Sequence, residues 1–144
     1  MHPYYHALSS VKKFGGRWVD YLEIHAWFDE TKSLIGDARH RALRHHTAGI
    51  FWCEERFGRV IYIGQDGETK PVPTRLVAEQ HVMEDMGFLP TPEWWLKQMV
   101  LAPAMNRVPV RSSDITVTPP SREHDTPIET LKQRLATELY KGEG

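Results

Sequence analysis

His25 and Asp29 are spaced i and i+4, and so are His81 and Asp85; this interval puts two side chains on one face of a helix. At about 100° of rotation per residue, His25 and Asp29 fall among Trp18, Tyr21, Leu22 and Phe28, while His81 and Asp85 fall beside Val77, Ala78 and Val82. A third helical pattern turns His46 and Glu54 toward Ala42, Leu43, Ile50, Cys53 and Phe57. Burying a polar group without a partner costs roughly 2 to 7 kcal/mol, so three such pairs call for a common explanation. Metal ligation is one. Neutral imidazole nitrogens and carboxylate oxygens on facing helices bind zinc, iron or manganese, and a divalent ion offsets the buried negative charge. The candidate ligands are therefore His25, Asp29, His46, Glu54, His81 and Asp85. Mixed His and carboxylate ligands without Cys lean toward a catalytic or two-metal site over a structural zinc. The competing explanation, pairs that satisfy each other inside a polar core, stays open.

Residues 39–46, RHRALRHH, hold three arginines and three histidines. His46 points inward in this reading, Arg39 lies at the edge of the apolar side, and His40, Arg41, Arg44 and His45 flank or oppose it. Arg41, Arg44 and His45 are candidates for holding an anionic small molecule such as a phosphate beside the ion; a solvated basic face is the alternative. His6 projects with Lys13 on a polar side and is read, with His2, as a capping or surface residue. Lys32 is expected to point inward. Glu79 and Glu84 flank the His81 turn and are candidates for supporting a ligand or acting as a general base.

The elements that must position these groups are mainly helical. Pro3 opens a first helix that Gly15-Gly16 stops; a second runs from Arg17 to Ile35; a third follows Asp37 and continues to Phe57, ending at Gly58. RVIYI and ETKPV around Asp66-Gly67 read as a hairpin near 59–72. Thr74 to Met86 is a fourth helix, and Thr91-Pro92-Glu93 starts another, whose Trp94 and Trp95 are expected to cover the core. The expected fold is a bundle-like helical domain over residues 1–102, with an extended proline-containing arm and an amphipathic helix over 103–144. A strand is expected at Ile115 to Val117. Thr126-Pro127-Ile128-Glu129 caps the last helix, and Ile128, Leu131, Leu135 and Leu139 form its stripe. A lone helix of this kind needs a surface to dock on, either its own body or a second subunit in a homo-oligomer.

Composition narrows the function classes. With 40% hydrophobic and 26% charged residues the chain is of globular composition, and a net charge of -1 gives no global attraction to nucleic acid or acidic membranes. A single cysteine, Cys53, excludes an intramolecular disulfide and a Cys-based zinc finger, so a reducing, cytoplasmic setting is expected. No apolar run approaches the roughly 20 residues that span a bilayer, and the N-terminal stretch lacks an export signal.

The run HPYYH and the blocks FGGRWVDYLEIHAWFDETK, DARHRALRHHTAGIFWCEERFG and AEQHVMEDMGFLPTPEWW resemble a small family of uncharacterised bacterial and phage proteins. The resemblance covers about residues 2–97. It implies that His25, Asp29, His40, His45, His46, Glu54, Glu79, His81 and Asp85 match the family's pattern, and it implies no activity. A fainter resemblance is to the HD-type metal phosphohydrolases, from which the chain departs by carrying His45-His46 in place of an adjacent His-Asp pair. Two functions follow as expectations: a metal-dependent hydrolase of phosphoester or nucleotide substrates, or a non-enzymatic phage or bacterial interaction protein with a buried polar or structural-metal core.

Overall fold

Pro3 stands at the first position of helix α1 (Pro3–Phe14), where its missing N–H is not needed, and the His2 imidazole accepts a hydrogen bond from Tyr4 N at 3.1 Å. The helix ends at Gly15, whose φ of 87° an L side chain rarely adopts. In this computed structural model residues 1–107 are described, and the expected strand at 115–117 and the C-terminal helix with its leucine stripe lie outside them. The chain divides into one compact unit, Met1–Leu96, and a second from Lys97 onward. Of the second, the described part contains a 3-10 turn, Pro103–Asn106.

Helix α2 (Trp18–Asp29) begins where the Asp20 carboxylate accepts from Arg17 N at 2.9 Å. It stops well short of Ile35, tightening into a 3-10 turn over Glu30–Ser33. Side chains compete with the helix there: Ser33 Oγ donates to the Glu30 carbonyl at 2.8 Å, and Thr31 Oγ1 lies 2.8 Å from His40 Nδ1. The helix expected after Asp37 is likewise two pieces, a 3-10 segment over Ala38–Leu43 and helix α3 (Thr47–Phe57).

Strands β1 (Val60–Gln65) and β2 (Glu68–Pro73) pair antiparallel, with Val60 opposite Pro73 and Gln65 opposite Glu68. The expected Asp66-Gly67 turn joins them with φ of 51° and 79°, the pair of positive values a tight two-residue hairpin needs. Helix α4 (Thr74–Met86) ends at left-handed Gly87, and α5 (Pro92–Leu96) starts with Thr91 Oγ1 accepting from Trp94 N. The fold is mainly helical with one small hairpin, as its periodicities predicted. Ala7 of α1, Tyr21, Ile24 and Phe28 of α2, Ile50 and Cys53 of α3, Ile63 and Val72 of the hairpin, and Val77, Ala78 and Val82 of α4 form one apolar core. Among the described residues no helix is long and apolar enough to cross a membrane.

Candidate metal centre

Within that core lies a polar centre built from three helices and one junction. Helix α4 supplies His81 and Asp85, α2 supplies His25 and Asp29, α1 supplies His6 and Ser10, and the junction before α3 supplies His45. His6, His25, His45 and His81 are all fully buried. Asp85 Oδ2 lies 3.0 Å from His45 Nε2 and 3.2 Å from His81 Nε2, and these two nitrogens are 3.1 Å apart. Asp29 Oδ1 completes the group, 3.6 Å from His81 Nε2 and 3.8 Å from His45 Nε2. All four ligand atoms lie within 4.8 Å of one another.

These spacings fit a coordination shell. Four ligands at roughly 2.0 to 2.2 Å from a tetrahedral ion are separated by about 3.3 Å, and the five separations just given fall on either side of that value. Two imidazole N–H groups facing each other and one carboxylate oxygen would crowd their hydrogens, whereas two lone pairs and two carboxylate oxygens suit a cation between them. His6, His25 and His81 form a second cluster whose nitrogens could hold an ion.

The electrostatics keep both carboxylates charged and favour the neutral forms of His45 and His25. Burial alone would raise the Asp85 carboxyl, but hydrogen bonds from His45, His6 and His81 outweigh it and hold the group well below the usual carboxylate range. Asp29 is also lowered; burial opposes this, and the neighbouring His81 and Lys32 prevail. Burial pulls His45 down to about 4 against the support of Asp85, and it drives His25 well below its ordinary value. His6 goes the other way. Burial is outweighed by Asp85 and Glu84, whose carboxylates lie 3.2 Å from Nε2 and 2.8 Å from Nδ1.

Of the six ligands expected from sequence, the structure brings His25, Asp29, His81 and Asp85 together and leaves His46 and Glu54 out. His46 caps α3: its Nδ1 accepts from Gly49 N at 3.0 Å and its Nε2 lies 3.2 Å from the Leu43 carbonyl. With both ring nitrogens engaged, it has no lone pair to give an ion. Glu54 sits half-buried on α3, outside both ligand clusters. The cause is the break in the chain before α3. His46 is buried as expected but extended, with φ of -161° and ψ of 174°, so uniform helical phasing across residues 38–57 misses that His45 also enters the interior and that it, not His46, reaches the centre.

His45, expected beside the ion as an anion contact, is thus at the centre itself. Arg44 turns elsewhere, stacking on Trp27 at 4.2 Å and donating to the Trp27 carbonyl and, at 3.2 Å, to Glu30 Oε2. It is not free to grip an anion. Arg41 stays near the centre, with its Nη1 3.3 Å from the Asp85 carbonyl, its Nη2 4.0 Å from Asp85 Oδ1, and a buried Nε that has no acceptor among the described residues. Lys32 is half-exposed and pairs with Asp29 at 3.8 Å. Trp95 covers the junction by donating its indole N–H to the His45 carbonyl at 2.9 Å.

Sequence reasoning missed His6. Its apparent polar side is the side that meets α4, where Glu84 holds its ring. The available signal was Ser10, which shares that helical face at i+4 and is also fully buried.

The family model for a domain of unknown function, DUF6915, matches residues 1–105. No curated protein and no solved structure matches the chain.

Proposed function

The chain belongs to the DUF6915 family, whose description assigns no activity, and we propose from the geometry of its own centre that it binds a divalent metal ion through Asp29, His45, His81 and Asp85. The observation that carries this reading is the set of separations from 3.0 to 3.8 Å among four buried ligand atoms drawn from three segments. Zinc, iron and manganese all accept such ligands.

The proposed role is hydrolysis of a phosphoester or nucleotide. A divalent ion in this setting supplies Lewis acidity. Arg41, whose buried Nε–H has no partner among the described residues, is the residue to neutralise the substrate's charge. A second reading, a closed metal core in a protein that acts by binding a partner, is favoured by the burial of Asp29 and Asp85, whose side chains are 5% and 3% exposed. Structural sites are closed, whereas catalytic ones keep a position open.

Elemental analysis of the purified chain tests the common premise, with about one divalent ion per chain expected. Chelation is expected to lower the melting temperature, since an ion present at 1,000 times its dissociation constant stabilises by about 4 kcal/mol. Absence of stoichiometric metal, with a melting temperature indifferent to chelator, overturns the proposal. Turnover of a nitrophenyl phosphate that is lost in Arg41→Ala while the ion is retained separates the hydrolase from the closed core.

A further inference from the structure

The two histidines of the proposed centre differ at their outward nitrogens. His45 Nδ1 is buried with no hydrogen-bond partner among the described residues, whereas His81 Nδ1 lies 3.0 Å from His25 Nδ1. Such a contact between two ring nitrogens needs one proton between them, and its owner can be deduced from the far end of the network.

Gln80 Nε2 lies 3.1 Å from the His6 carbonyl and 3.0 Å from Glu84 Oε1. A carbonyl and a carboxylate only accept, so the amide nitrogen must face them and Gln80 Oε1 must face Ser10 Oγ at 2.9 Å. Ser10 has a single hydrogen, and both Gln80 Oε1 and the His6 carbonyl, at 3.1 Å, call for it. The hydroxyl must then accept from its third neighbour, His25 Nε2, at 2.7 Å. A fully buried imidazole whose partners are a hydroxyl and another imidazole is neutral. With its proton on Nε2, His25 presents a lone pair at Nδ1, and the shared proton belongs to His81 Nδ1.

From this chain of donors we infer that His25 is a positioning residue: through Ser10 and Gln80 it holds a His81 proton on Nδ1, so that Nε2 is the nitrogen left to meet an ion beside Asp29, His45 and Asp85. The metal role of Nε2 rests on the ion-binding proposal above; the proton on Nδ1 does not. His25 thus acts through His81 and is not itself a ligand. Partners of this kind set ring orientation and basicity, and losing one typically costs about 10 to 100-fold in metal affinity.

The test uses the full chain with nitrogen-15 histidine. In the metal-free protein the His81 proton is expected on Nδ1, with a scalar coupling across the hydrogen bond to His25 Nδ1. A His81 ring without a proton on Nδ1 overturns the inference whether or not the chain binds metal. For cobalt or zinc, His25→Leu is expected to weaken binding by about 10 to 100-fold. His25→Asn, whose side-chain oxygen can stand where Nδ1 stood, is expected to restore most of the loss. Unchanged affinity in His25→Leu overturns the inference, as does a stoichiometry of two ions in the wild type falling to one in that variant, which would make His25 a ligand. Should His25→Leu fail to fold, Ser10→Ala carries the same test, because it frees the His25 tautomer and is expected to mix the two His81 forms. A wild-type chain that binds no ion but shows the Nδ1 proton defeats the metal centre and leaves the tautomer assignment standing.

Discussion

Helix α4 and the junction at residues 38–46 each deliver a histidine to the same carboxylate oxygen of Asp85, by different means. In α4 the helix is continuous, so His81 and Asp85, one turn apart, meet at 3.2 Å as their spacing dictates. At the junction a 3-10 segment gives way to an extended cap, and the chain passes so close to α3 that a Cβ at Gly49 would collide with the Arg44 carbonyl oxygen. Two adjacent histidines are divided there between different tasks, His45 entering the centre and His46 holding the first turn of α3. Helical spacing identifies partners only as far as the helix continues.

The largest expected effect of breaking this comparison is at His45. His45→Ala removes one of four proposed ligands and is expected to weaken zinc binding by more than about 100-fold, beyond the loss of an outer partner; calorimetric titration reads it. Binding within tenfold of wild type would place the ion elsewhere.

Acid sharpens the contrast next. In the metal-free protein His45 is held down to about 4, while an unfolded histidine titrates near 6.5. Between those values the unfolded chain binds the extra proton, so stability is lost as pH falls through that window, by about 3 kcal/mol for one histidine. His25, His40 and His46 are lowered as well and act with the same sign. His6 is raised, so its contribution is present in acid and fades as pH rises through its folded value. Urea denaturation at pH 7 and pH 4.5 measures the balance; equal stability at the two would contradict the neutral, dry setting of His45.

The smallest effects belong to the two residues that stand aside. His46→Ala is expected to cost about 1 kcal/mol, the worth of a helix cap, with metal stoichiometry unchanged. Glu54→Gln is expected to alter stability by no more than ~0.5 kcal/mol and to leave metal affinity intact. A lost ion in either variant would return that residue to the ligand set.

Much of the fold was legible from local signals. Pro3, Gly15, Gly58, Gly87 and the Asp66-Gly67 pair marked element ends and the hairpin because each answers a backbone requirement that neighbours in sequence set. The inward pairs His25 with Asp29 and His81 with Asp85 were legible because α2 and α4 hold their period across them. The end of α2 at Asp29 was not, since the Thr31 to His40 contact that favours the 3-10 turn joins residues brought together by the bend itself. His6 was hidden for a related reason: its ring lies between Glu84 and Asp85, carboxylates far along the chain.

By itself, then, the sequence determined that imidazoles and carboxylates would share the interior, because helical period and apolar neighbours fix which side of a continuous helix is buried. Tertiary structure decided which of them meet across different segments. The junction's cap, the packing of α1 on α4 and the orientation of His81 depend on distances between segments, and no spacing along one helix encodes those.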